Sequence, residues 1–212
     1  DYDIKKIRGY EYNKDSAKYY LAKAGYPDGV GFPEMKLQFN SGSERYGRVV
    51  SEIKRQIKNE LNIDIEIEGV MHQEYVENLL YGKVDFVRGG YQADYPSPEN
   101  FLHLFYGKDV PENKEEKSYP NFIRYKNPEF DAYYEQGLKA GSLEESYALF
   151  GKAEQVLMDD CQIIVLWYDE GMRLFQPYVQ NFETNAMDIR DYSEVYFVPT
   201  AEKAEDSKEK GN

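Results

Sequence analysis

Residues 35–70, MKLQFNSGSERYGRVVSEIKRQIKNELNIDIEIEGV, decide the fold. In MKLQFNS apolar and polar residues alternate, which places Met35, Leu37 and Phe39 on one side of a strand. Ser41 and Glu44 have the spacing of a capping box. Tyr46, Val49, Val50, Ile53, Ile57 and Leu61 then follow at helical intervals, with Arg48, Lys54, Arg55 and Lys58 on a solvated face. IDIEIEG alternates again, directing Ile63, Ile65 and Ile67 inward and Asp64, Glu66 and Glu68 outward.

The same pattern continues downstream. QEYVENLLYG predicts a short helix with Tyr75, Val76, Leu79 and Leu80 on its inner side and Gly82 at its end, and VDFVRGGY predicts a third strand. Strand, helix, strand, helix, strand over residues 35–91 predicts an α/β fold with a mostly parallel sheet, right-handed crossovers and flanking helices. On such sheets ligands bind just beyond the carboxyl ends of the strands.

Upstream, residues 15–24 predict a helix capped by Asp15 and ended by Gly25. Downstream, Asn127 and Pro128 open a helix whose stripe is Phe130, Tyr134 and Leu138. A second capping box, Ser142 with Glu145, opens another, with Phe150, Ala153 and Leu157 inside. QIIVLWYDEG predicts a buried strand, with Cys161 a buried packing residue beside it. Residues 201–212 are charged and nearly free of apolar groups, the composition of a disordered tail.

Composition narrows the function. At 212 residues and 41% hydrophobic, the chain is globular and long enough to bury a core. A net charge of −13 repels phosphates and argues against nucleic acid as a partner. One cysteine excludes an internal disulfide framework and a thiolate-cluster zinc site. The two histidines, His72 and His103, lie far apart without partners at ligand spacing, and HExxH, GxSxG and P-loop patterns are missing. No cofactor and no enzymatic activity are expected. No apolar run approaches the roughly 20 residues that span a bilayer.

The stretch that carries chemistry is GGYQADYPSPENFLHLFYG, residues 89–107, which follows the third strand. A protein that binds peptides of many sequences reads their shared features: an ammonium, a carboxylate and backbone donors and acceptors. An extended peptide can pair with an exposed strand through its main chain. Gly89 and Gly90 would let a ligand backbone come close. Asp94, at the end of that strand, could hold an ammonium by a charge-assisted hydrogen bond, with the following prolines fixing the loop.

AKYYLAKAGYPDGVGFPEMKLQF, YQADYPSPENFLHLFYG, NPEFD and AEQVLMDDCQIIVLWY together resemble the C-terminal portion of the family 5 extracellular solute-binding proteins, in order from about residue 13 to residue 180. These are the oligopeptide-, dipeptide- and nickel-binding receptors of ABC importers. The resemblance implies a type II periplasmic-binding-protein-like lobe that binds short peptides for delivery to a membrane permease. It implies that Asp94 receives the peptide amino terminus, that Gly90 and Gln92 supply main-chain contacts, and that Tyr91 forms an aromatic wall, where the family commonly has Trp. Arg88 would face a ligand carboxylate.

The resemblance further implies that residues 13–170 form the binding lobe, while residues 1–12 and 171–200 cross to and from a lobe outside this chain. Half of a clamp is expected to bind weakly. The location implied is extracytoplasmic, with membrane attachment only through a lipid anchor outside this chain. Two alternatives stay open: a ligand-sensing module of a transcriptional regulator, and a receptor for nickel or a metal chelate.

Overall fold

The main sheet has β1 (Lys36–Asn40) at its centre, between β2 (Glu66–Val70) and β3 (Phe86–Val87), with all neighbours parallel. It is seen in a computed structural model that describes residues 2–185 and 187–199. The expected tail, residues 201–212, lies outside the described residues. The chain forms two compact units. The first holds residues 2–93 and 97–164, and the second holds residues 94–96 and the described residues from 165 onward.

In the first unit the expected alternation is observed: α1 (Lys14–Lys23), β1 (Lys36–Asn40), α2 (Glu44–Leu61), β2 (Glu66–Val70), α3 (His72–Leu80) and β3 (Phe86–Val87). β1 is the central strand, paired with β2 from Lys36↔Glu66 to Asn40↔Val70 and with β3 through Leu37↔Phe86 and Gln38↔Val87. Its two faces serve different chemistry. Leu37 and Phe39 join Val50, Ile63 and Ile65 in an apolar core beneath α2. A Cβ on Gly69 would stand 3.0 Å from the Phe39 ring, so the glycine lets that ring lie close against β2. On the other face Gln38 is buried and donates to Glu68 at 2.7 Å, while its oxygen accepts from Asn78 at 3.1 Å. That bond from Gln38 is the main cause holding the Glu68 carboxyl below the usual range.

Three local expectations fail in this unit, the first because a tertiary partner claims the residue. Ser41 does not cap α2; its N–H and hydroxyl both donate to the Val70 carbonyl at 2.9 Å, and Ser43 takes the cap position without a side-chain bond. α1 is capped by Asn13, which accepts from the Ser16 N–H, so Asp15 lies in the first turn. The third strand is two residues long, with the Arg88 N–H adding one further bond to the Gln38 carbonyl at 2.9 Å.

A second core lies under α5 (Pro128–Lys139) and α6 (Leu143–Asp159), which follow the short α4 (Pro98–Leu102). Phe130, Tyr134, Phe150, Ala153 and Leu157 pack with Leu102 and Tyr125. Asn127 accepts from the Glu129 and Phe130 N–H groups and Ser142 from that of Glu145, as their cap spacing predicts. Gly137 passes so close to α6 that a Cβ there would stand 2.6 Å from the Phe150 ring. This crossing turns Leu138 outward, 54% exposed, so it drops out of the expected stripe. The loop before α5 is tied down by Asn121, whose amide donates to the Tyr106 and Tyr125 carbonyls. The same loop seats the end of α3, since the Ser118 N–H and the Arg124 guanidinium both donate to the Leu80 carbonyl.

The expected strand over residues 162–171 is not formed. An apolar run becomes a strand only where an edge supplies its hydrogen bonds, and no described strand pairs with it. Ile164, Val165 and Leu166 are exposed. Cys161 is exposed as well, at a positive φ of 54°, with the Tyr10 hydroxyl 2.8 Å from its sulfur. Residues 2–10 run along α6, where Arg8 pairs with Asp159 at 2.6 Å and Tyr2 meets Tyr147 edge-on. The second unit contains a two-stranded antiparallel sheet, β4 (Val179–Gln180) and β5 (Tyr196–Phe197), and the ring contact of Phe175 with Phe182 at 4.4 Å.

Candidate functional site

β3 is an edge strand, and the chain leaves it at Arg88 into the exposed, irregular segment that holds Gly89, Gly90, Tyr91 and Gln92. Arg88 is fixed from three sides. Its N–H continues the β1 ladder, its carbonyl accepts from the Tyr75 hydroxyl at 2.9 Å, and its guanidinium lies 3.6 Å from the centre of the Tyr46 ring. Tyr75 comes from α3 and Tyr46 from α2, so both helices converge on this one residue. Burial raises the Tyr75 hydroxyl above its ordinary pKa, with the Arg88 charge opposing, so the group is a proton donor at neutral pH.

The glycine pair is not demanded by the backbone. Gly89 and Gly90 both lie outside the left-handed region. A Cβ on Gly89 would meet only the Tyr75 hydroxyl at 3.8 Å, and one on Gly90 would meet the Arg88 terminal nitrogens at 3.7 Å, ordinary contacts in each case. Elsewhere glycine is obligatory at Gly29, where a Cβ would stand 2.6 Å from the Leu61 carbonyl oxygen at a φ of +75°, and at Gly107 a Cβ would stand 2.6 Å from the Asp131 carboxylate and displace it. What the pair leaves open is the outer surface of the edge.

Tyr91 is tied to α4: its ring meets Phe101 edge-on at 5.8 Å, and its hydroxyl donates to the buried Asn100 side chain at 3.3 Å. Gln92 is exposed. Of the residues singled out in the sequence, Arg88 and Gly90 are brought together, and Tyr91 and Gln92 follow on the same exposed segment. Asp94 is exposed in a bend with Tyr95 and Pro96, and these three belong with the second unit. Tyr46, Tyr75 and Asn100 were not picked out as site residues. Tyr46 and Tyr75 read as members of apolar helix faces, and the available signal was a tyrosine where leucine would satisfy burial, since a buried hydroxyl needs a partner.

His72 lies beside Asn40, its Nδ1 3.2 Å from the amide nitrogen. His103 Nε2 lies 3.2 Å from Asp109, its ring stacked parallel to Tyr134. Among the described residues no group of three or more His, Cys, Asp or Glu is placed to hold a metal, and no helix is long and apolar enough to cross a membrane.

Comparison with known proteins places this geometry in a family. Residues 1–113 match the model for bacterial extracellular solute-binding proteins, family 5 Middle. The periplasmic murein peptide-binding protein MppA of Escherichia coli is 24% identical over 183 residues, 86% of this chain and 32% of that protein. The periplasmic oligopeptide-binding protein OppA of Escherichia coli is 26% identical over 172 residues, 81% of this chain and 30% of that protein. The chain spans about a third of the length of these relatives. Among solved structures, OppA of Burkholderia pseudomallei superposes with a TM-score of 0.73 at 24% identity, covering 88% of this chain and 35% of that one. Haemophilus influenzae OppA in complex with RPPGFSPFR gives 0.70 at 23% identity, with 88% and 35% covered. The fold is that of type II periplasmic binding proteins, and the chain belongs to the bacterial extracellular solute-binding proteins of family 5.

Proposed function

We propose that this chain supplies a ligand-binding part of an extracytoplasmic receptor that captures short peptides and passes them to an ABC transporter permease. The observation that carries the reading is the bare glycine pair at the end of β3, which neither backbone conformation nor packing requires. An edge kept free of side chains suits pairing with the main chain of an extended ligand, whatever its sequence. The relatives' names point the same way, as peptide- and oligopeptide-binding proteins.

In this reading Gly90 and Gln92 pair with the peptide backbone, Tyr91 walls the site, and Asp94 binds the amino terminus. Arg88 receives a carboxylate. The role is binding alone, without chemistry on the ligand. Residues 13–170 serve as the binding lobe, and residues 1–12 and 171–200 connect it to the rest of the receptor.

The test uses the full-length protein, free and N-acetylated peptides, and Asp94→Asn. Blocking the amine and removing the charge are expected to weaken binding by similar amounts, about 2–5 kcal/mol for a buried charge pair, and not additively. Equal affinity for free and acetylated peptides would remove Asp94 from the role.

A further inference from the structure

Edge strands that bind ligands by their main chain must hold their own backbone still, because each pairing bond depends on the angle of an amide plane. β3 has little means of doing so by itself. It shares two register pairs with β1, and past the Arg88 N–H the described chain turns irregular. The Arg88 carbonyl is the group that sets the plane of the next peptide, the one leading into Gly89. That carbonyl accepts from the Tyr75 hydroxyl at 2.9 Å. The Arg88 side chain is clamped at its other end by Tyr46. Gly89 and Gly90 have no side chains and lose more freedom on ordering than any other residue, so the last fixed point before them bears most on their position.

We infer that Tyr75 is a positioning residue for the ligand-pairing edge, fixing the Arg88 carbonyl so that the Gly89–Gly90 backbone is held ready for a ligand main chain, with Tyr46 holding the Arg88 side chain in support. The inference rests on the peptide-binding reading above. It adds that affinity depends on a hydroxyl that touches no ligand. Tyr75 acts on the protein backbone, and its effect reaches the ligand only through main-chain pairing. Phenylalanine in its place would keep the ring and leave a half-buried carbonyl without its donor.

The experiment is calorimetric titration of the full-length protein with a short peptide and with its ester analogue, in which one backbone amide is replaced. Wild type is expected to bind the ester more weakly, reporting main-chain pairing. Tyr75→Phe is expected to bind the amide peptide about three- to tenfold more weakly, the effect of one hydrogen bond, and to discriminate less between amide and ester. Equal losses for amide and ester in Tyr75→Phe would mean a general structural role and would overturn the inference, as would unchanged affinities. Wild type that binds no peptide, or binds both ligands alike, would overturn the peptide reading itself and the inference with it. Tyr46→Leu, which removes the ring, repeats the test without touching Tyr75; it is expected to lose amide-ester discrimination, and unchanged discrimination counts against the inference.

Discussion

A methyl group placed on Gly90 would lie 3.7 Å from the Arg88 guanidinium, an ordinary contact at a backbone angle any residue can adopt. Fold and ligand therefore make separable demands at this position. Gly90→Ala is expected to leave stability unchanged or raise it by about 0.4–1 kcal/mol through the unfolded chain. The same change, made in the full-length protein, is expected to weaken peptide binding roughly tenfold, equivalent to about 1.4 kcal/mol. Denaturant unfolding and calorimetry on one variant check both halves. Unaltered peptide affinity would show that the bare edge is not the contact surface.

Gly137 gives the opposite case. Its missing side chain lets α5 lie against Phe150, with only 2.6 Å available for a Cβ. Gly137→Ala overpacks the second core and is expected to cost about 1–3 kcal/mol. Phe130→Ala, at the fully buried centre of the same cluster, is expected to cost about 3–5 kcal/mol. Urea midpoints of the two variants test the ranking, and a Gly137→Ala protein as stable as wild type would contradict the close helix crossing.

Asp131 predicts a pH dependence. Burial raises its pKa, the Gly107 N–H bond opposes this, and the charges of Glu135 and Asp109 add to the rise. A carboxyl with a raised folded pKa favours the native state while protonated. That contribution is full below the unfolded pKa and is lost as pH rises through the folded one. Asp131→Asn keeps an acceptor for Gly107 and cannot ionise. Its stability relative to wild type is expected to rise between about pH 3 and pH 7. Paired denaturation curves across that range measure it, and a difference independent of pH, or one that falls with pH, would refute it.

Cys161 should be chemically accessible in the folded chain. Its thiol is exposed and contacts the Tyr10 hydroxyl at 2.8 Å. The native chain is expected to react with a disulfide reagent as fast as a small thiol, within about tenfold. Reaction only after denaturation would mean the residue is buried.

Much of the first unit was legible because burial period is local information. Leu37 and Phe39, Ile63 and Ile65, and the α2 stripe show their buried side by spacing alone. Caps written on one side chain, such as Asn127 and Ser142, were legible for the same reason. One error falls where a group had two possible partners. Ser41 could cap α2 or extend the sheet to Val70, and the sheet took it. QIIVLWY had strand composition, and no described strand pairs with it.

By itself the sequence determined the parallel α/β order and the apolar stripes of its helices and strands, since these follow from periodicity along the chain, while its motifs carried the resemblance to the family. Only the tertiary structure decided that β3 stops after two residues, that Tyr75 and Tyr46 converge on Arg88, and that the neighbouring glycines are free of steric duty. The reason is physical: periodicity shows which face a residue turns inward, but hydrogen bonds and ring contacts between distant segments depend on how those faces meet in space.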